Sequence, residues 1–154
     1  MAVKTKALSE KLVHVARTKP VSVPESSTLG EALAVMRETK IHCLMVCRGK
    51  KLVGIFTERD YLMKAAGKAD PAESIKAYMT PDPVIVTLEQ TVGEAVETMN
   101  AKGLRNLPVV DEAGSPASLV TVNTIIKYLA GHFPAAVVTR PPQPHMVTDQ
   151  TDGA

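Results

Sequence analysis

Thr28-Leu29-Gly30-Glu31-Ala32 and Thr91-Val92-Gly93-Glu94-Ala95 are one phrase written twice, 63 positions apart. The echo extends on both sides. Val21-Ser22-Val23 returns as Val84-Ile85-Val86, Met36 as Met99, Leu44 as Leu107 and Val46 as Val109. From Thr57 onward the offset is 64, pairing Thr57 with Thr121, Leu62 with Ile126 and Ala66-Gly67 with Ala130-Gly131, so the turn around Asp111 to Pro116 carries one extra residue. Turns tolerate such insertions, and self-similarity at a fixed offset marks a duplicated structural unit. The copies run over residues 20–67 and 83–133. A lead (1–19), a linker with the approach to the second copy (68–82) and a tail (134–154) surround them. The tail holds Arg140-Pro141-Pro142-Gln143-Pro144, which suits an extended or disordered arm better than a helix.

Each copy predicts the same order of elements. A short β-branched strand leads to a Thr, Thr28 or Thr91, followed three residues later by Glu31 or Glu94, the spacing of a helix-capping box. The helix then carries Leu29, Ala32, Leu33 and Met36, or Val92, Ala95, Val96 and Met99, at i, i+3, i+4 and i+7, which buries one face. Two strands follow, Leu44 to Cys47 and Leu52 to Phe56 in the first copy, Leu107 to Val110 and Ser118 to Val120 in the second. A second helix begins near Thr57 and Thr121. The predicted fold class is therefore α/β (α+β), two pseudo-symmetric units of strand, helix, strand, strand, helix, whose small sheets pack with helices and cover one another.

Composition narrows the function. Across 154 residues, 45% are apolar and the net charge is only +2 from 18 basic and 16 acidic side chains, which supports a packed core and gives no basic stripe for nucleic acid. No apolar run reaches the roughly 20 residues needed to span a bilayer, and the first residues lack an apolar signal core, so the expectation is a cytoplasmic protein without membrane attachment. Cys43 and Cys47 lie too far apart along a strand to pair, and the four histidines show no metal-ligand spacing. The chain has no nucleophile elbow and no phosphate-binding glycine loop. No metal, no catalytic cofactor and no enzymatic activity are expected.

Three segments carry a family resemblance. Gly54-Ile55-Phe56-Thr57-Glu58-Arg59-Asp60 resembles the Gly-x-x-Ser/Thr-x-x-Asp signature of cystathionine β-synthase (CBS) domains. Ala77-Tyr78-Met79-Thr80-Pro81-Asp82-Pro83 resembles the approach to a CBS repeat, and Arg105-Asn106-Leu107-Pro108-Val109-Val110-Asp111 its central strand. In this order within a duplicated chain they are similar to a stand-alone tandem arrangement, a Bateman module.

The resemblance implies a regulatory module that senses an adenine nucleotide (AMP, ADP or ATP, ahead of S-adenosylmethionine) in the cleft between its repeats and transmits a conformational change to an unidentified partner protein. It also implies a homodimer joined through the second-helix faces; Ile75, Tyr78 and the pair Ile125-Ile126 are candidates for an apolar patch there, with burial inside the monomer an equal explanation of them. The carboxylate of Asp60 would accept from both hydroxyls of a ribose, with Thr57 beside it. The base would lie against the strand containing Val21 and Val23 and near Ile41. Phosphate donors would be His42 and Arg105, with Arg59 and Lys102 in reserve. The plainer reading of Thr57 and Asp60 is a helix cap, which would make the chain a ligand-free dimerisation adaptor. In the second copy Ser118 replaces the signature glycine and Thr124 the aspartate. The first copy is therefore expected to hold the stronger site.

Overall fold

The structure, a computed structural model, describes residues 2–132; the tail expected at 134–154 lies outside them. The element order is α1 (Ala2–Ser9), β1 (Ser22–Pro24), α2 (Leu29–Thr39), β2 (Cys43–Arg48), β3 (Lys51–Thr57), α3 (Glu58–Asp60), β4 (Thr80–Pro81), β5 (Val86–Thr87), α4 (Val92–Lys102), β6 (Asn106–Val110), β7 (Pro116–Thr121) and α5 (Val122–Ala130). A π-helical stretch, Tyr61–Ala65, prolongs α3, and single 3-10 turns occupy Leu12–His14 and Ile75–Ala77. Mixed sheets and helices of this kind are the α+β class the duplication predicts.

The strands form two sheets, ordered β1-β2-β3-β4 and β5-β6-β7. β1 runs parallel to β2 with Val23 beside Val46, and β5 runs parallel to β6 with Val86 beside Val109, so the duplication holds at the level of register. Each antiparallel hairpin slips by one residue at the same place, between Val46 and Cys47 and between Val109 and Val110. Alternation along β2 divides its side chains. Leu44 and Val46 join Val23, Leu29, Ala32, Met36 and Phe56 in the first core, while Met45 and Cys47 pack with Leu52, Val110 and Leu119 between the halves. The second core gathers Val86, Val92, Ala95, Met99, Leu107, Val109 and Val120.

The repeated Thr-x-Gly-Glu-Ala phrase has a tertiary cause as well as a local one. Thr91 and Glu94 form the full reciprocal capping box, whereas Thr28 accepts from the Glu31 amide without a return bond from the Glu31 carboxylate, a difference nothing in the structure explains. The glycines lie where another segment crosses the helix start. A Cβ on Gly30 would stand 3.2 Å from Pro71, and one on Gly93 would stand 3.1 Å from the Leu8 carbonyl oxygen, tighter than most side chains accept. The crossing segments are reciprocal. The Val92 amide donates to Glu10 O and the Leu12 amide to Gln90 O, just as the Leu29 amide donates to Glu73 O and the Ile75 amide to Ser27 O. Leu12 thus belongs to the core of the second half and Ile75 to that of the first, both fully buried. Ile75 and Ile125, considered above for a surface patch, are core residues, and only Ile126 of that group is strongly exposed.

Candidate functional site

Both signature segments end a strand and begin a helix. At the first, Thr57 Oγ1 accepts from the Asp60 amide (3.2 Å), while Asp60 Oδ2 accepts from the Thr57 amide (3.0 Å) and the Thr57 hydroxyl (3.1 Å). The other oxygen, Oδ1, accepts from Thr80 Oγ1 at 3.0 Å and pairs with Lys64 Nζ at 3.1 Å. Lys64 also donates to the Tyr78 carbonyl (3.3 Å). Asp60 is 9% exposed, and both of its oxygens are engaged by its own chain. At the second signature Thr124 stands in its place. Thr124 Oγ1 accepts from the Thr121 amide (3.2 Å), Thr121 Oγ1 accepts from the Thr124 amide (3.1 Å), and the two hydroxyls lie 3.1 Å apart.

The glycine of the first signature follows from packing. A Cβ on Gly54 would stand 2.6 Å from Met79 Sδ. The position matching Met79 in the other half is Ala16, and there Ser118 is accommodated, buried and donating to Thr18 O at 2.8 Å.

The open space lies on the second signature. A cleft of about 1100 Å³ runs between the halves, with Thr121, Val122 and Thr124 on one wall and Ile41, His42 and Cys43 on another. Its borders are cationic: Arg17, Lys40, Arg105 and Lys127 line it together with His14 and His42, and among the described residues Glu58 is the one carboxylate that lines it. His42 Nδ1 and Glu58 Oε1 are 2.7 Å apart. Burial, with a smaller contribution from the negative charge of Asp60, pushes the Cys43 thiol up to about 12, so this wall presents an unreactive sulfur. Beside the cleft a smaller cavity of about 420 Å³ is lined by apolar Leu33, Met36, Ile41, Tyr61 and Leu62 with Arg37 and Glu58. Among the described residues no group of three or more His, Cys, Asp or Glu side chains gathers to hold a metal ion, and no helix is long and apolar enough to cross a membrane.

Of the site residues expected from sequence, Ile41, His42 and Arg105 come together in the cleft. Thr57, Asp60 and Arg59 line neither cavity, and neither do Val21 and Val23; Val23 is buried in the first core with Val21 packed against it. Sequence reasoning did not single out Arg17, Lys40, Lys127 or Glu58 for this cleft. Lys40 adjoins Ile41 and Glu58 lies inside the first signature, so both were within reach of the sequence; Arg17 and Lys127 belong to separate segments that only the crossing of the two halves brings together.

Comparison with known proteins agrees with this architecture. The CBS domain family model matches twice, at residues 12–67 and 75–131. An uncharacterized 17.7 kDa protein of Acidianus ambivalens is 32% identical over 123 residues, covering 79% of this chain and 74% of that one. Inosine-5'-monophosphate dehydrogenase of Korarchaeum cryptofilum is 37% identical over 105 residues, 68% of this chain but only 21% of the enzyme. Among solved structures, a CBS domain protein from Pyrobaculum aerophilum complexed with AMP superposes with a TM-score of 0.70 at 22% identity, covering 79% of this chain and 98% of that one. A CBS domain pair in complex with 5'-methylthioadenosine and S-adenosyl-L-methionine gives 0.71 at 21% identity, covering 80% and 98%. At such identities the two structures speak for the shared fold alone. With both repeats matched by the family model and the duplication visible in register, core and crossing segments, the chain belongs to the CBS domain family.

Proposed function

We propose that the chain is a regulatory module that binds an adenine nucleotide in the cleft on its second signature and passes the change to a partner protein, with no catalysis of its own. The observation that carries this is the charge of the cleft: four Lys and Arg side chains and two histidines against a single carboxylate already paired with His42. The volume, about 1100 Å³, is ample for a nucleotide, since ligand pockets commonly measure about 300–1000 Å³. That related pairs are found with AMP, or with S-adenosylmethionine and methylthioadenosine, supports an adenosine-bearing ligand.

The chemistry favours phosphates over ribose. Thr124 offers one hydroxyl where a carboxylate would grip both sugar hydroxyls, so affinity here rests on the cations. If each further phosphate meets one exposed cation worth about 0.5–1 kcal/mol, ATP binds about five- to thirtyfold more tightly than AMP. S-adenosylmethionine, with its sulfonium charge, is disfavoured by the same field. Calorimetric titration with ATP, ADP, AMP and S-adenosylmethionine at two salt concentrations tests this. The expected order is ATP, ADP, AMP, weakening with salt; S-adenosylmethionine binding as tightly as ATP, or heat from none of the four, overturns it, and the second outcome would leave the dimerisation adaptor.

A homodimer is part of the same reading. Leu62 on the π-helical stretch and its repeat-mate Ile126 on α5 are 69% and 58% exposed, with Met63 beside Leu62 at 68%. Matching apolar side chains on the second helix of each half suit a self-complementary surface.

A further inference from the structure

The two halves share a backbone frame at the start of the second helix but differ in one charge. The Glu58 amide donates to His42 O at 3.2 Å, and the Val122 amide donates to Arg105 O at 3.1 Å. These are equivalent bonds in the duplicated fold. In the second half Arg105 therefore faces an apolar Val122, while in the first half His42 is held by the Glu58 carboxylate at 2.7 Å. Both members of that pair are exposed, 78% and 61% by side chain, so water screens it and a stronger anion can displace it. Among the described residues, Glu58 and Ile41 are the two that line both the cationic cleft and the neighbouring apolar cavity.

We propose that the His42–Glu58 pair is a ligand-displaced switch, through which an anion in the cleft alters the apolar cavity formed by Leu33, Met36, Tyr61 and Leu62. The inference rests on the cleft being a phosphate site. A phosphate that takes His42 repels the Glu58 carboxylate, and the other space bordered by that side chain is the smaller cavity. Occupancy on one side of Glu58 is thereby read on the other, at the exposed Leu62. The second half has no counterpart, because Val122 has no charge to displace, so the signal leaves by one face of the module.

Methyl NMR of Leu33, Met36 and Leu62, recorded during ATP titrations followed in parallel by calorimetry, tests the switch in wild type, Glu58→Gln and His42→Gln. In wild type, ATP moves the methyl signals of all three residues. Both variants, which remove the charge attraction between the two side chains, show those signals displaced before any ligand is added, and ATP moves them little further. Glu58→Gln also binds ATP about three- to tenfold more tightly through loss of one nearby negative charge, whereas His42→Gln does not. If ATP binds wild type and the methyls stay still, or move equally in all three proteins, the switch is overturned while the nucleotide reading stands. If ATP binds none of the three, both fall. The side chains are exposed and the substitutions nearly isosteric, so folding is not at issue.

Discussion

Met79 rests on Gly54 so closely that its Sδ atom lies 2.6 Å from where a Cβ would be. The contact ties β3 to the segment that leads into the second half, and it accounts for the glycine of one signature; the other carries Ser118, and Met79's counterpart in the repeat is the smaller Ala16. Gly54→Ala is expected to destabilise the protein by up to about 1 kcal/mol, the low end of the overpacking range, because every atom the new methyl meets belongs to the flexible side chain of Met79. In a Met79→Ala background the added methyl has room, so the penalty should largely vanish. Urea unfolding of the four proteins of this double-mutant cycle measures the coupling; equal penalties in both backgrounds would show that the glycine is required for another reason.

The reciprocal crossing of the halves predicts that residues outside the two sheets hold each half together. Leu12→Ala and Ile75→Ala each remove a fully buried side chain from the core of the opposite copy, at a cost of about 2–5 kcal/mol. Denaturant midpoints should fall by similar amounts for both. A much smaller effect of Leu12→Ala would mean that the N-terminal crossing is dispensable.

The duplication was legible because each recurring residue answers a local need: a Thr that caps, a helix stripe of Leu or Val, Ala and Met, and a β-branched strand. Gly30 and Gly93 were visible as a repeat, but their reason was not, since it depends on Pro71 and on the Leu8 carbonyl arriving from elsewhere. The cap at Thr57 and Asp60 was also readable from spacing. What spacing could not supply was Thr80, 20 positions away, which engages the remaining carboxylate oxygen together with Lys64, itself within reach of spacing at i+4. Likewise Ile41, His42 and Arg105 could be placed near a ligand by resemblance to a family, and Lys40 directly precedes Ile41, whereas Arg17 and Lys127 join them only through the tertiary arrangement. Sequence patterns report pairs a few residues apart, and a cleft between two halves is made of pairs that are not.

Leu62, Met63 and Ile126 lead to an expectation about assembly. Replacing Leu62 and Ile126 together by Glu places two charges on each copy of the exposed apolar face. Light scattering after size exclusion should report a dimer for wild type and a monomer for the double variant, with the secondary structure content retained. A monomeric wild type would remove the homodimer, and a dimeric variant would put its interface elsewhere.

Lys40 ends α2 with φ 58°, where its repeat-mate Gly103 ends α4 with φ 64°. The left-handed region strains a residue with a Cβ by roughly 1–2 kcal/mol, part of which glycine returns through its greater freedom when unfolded. Lys40→Gly is therefore expected to stabilise the fold by up to about 1 kcal/mol. Because Lys40 borders the cleft, the same change should weaken ATP binding by about two- to fivefold, as befits one exposed cation. Thermal unfolding and calorimetry on one preparation would show the two effects in opposite directions; a variant that is more stable and binds ATP unchanged would take Lys40 out of the site.

Asp60 provides the sharpest separation between holding the fold and holding a ligand. Its carboxylate satisfies the Thr57 amide, the hydroxyls of Thr57 and Thr80 and the Lys64 ammonium, so Asp60→Ala leaves several partners without an acceptor near the protein interior. Loss of a cap alone costs about 0.5–2 kcal/mol, and a buried donor left unpaired costs about 1–3 kcal/mol. The expected result is a destabilisation of about 1–3 kcal/mol, smaller in Asp60→Asn, which keeps one carbonyl oxygen, with ATP affinity at the cationic cleft unchanged within about twofold. For a ribose to reach Asp60, Lys64 would have to leave Oδ1 and Thr80 would have to turn. A tenfold loss of nucleotide affinity in Asp60→Asn, with the unfolding midpoint preserved, would establish that they do, and would move the ligand from the second signature to the first.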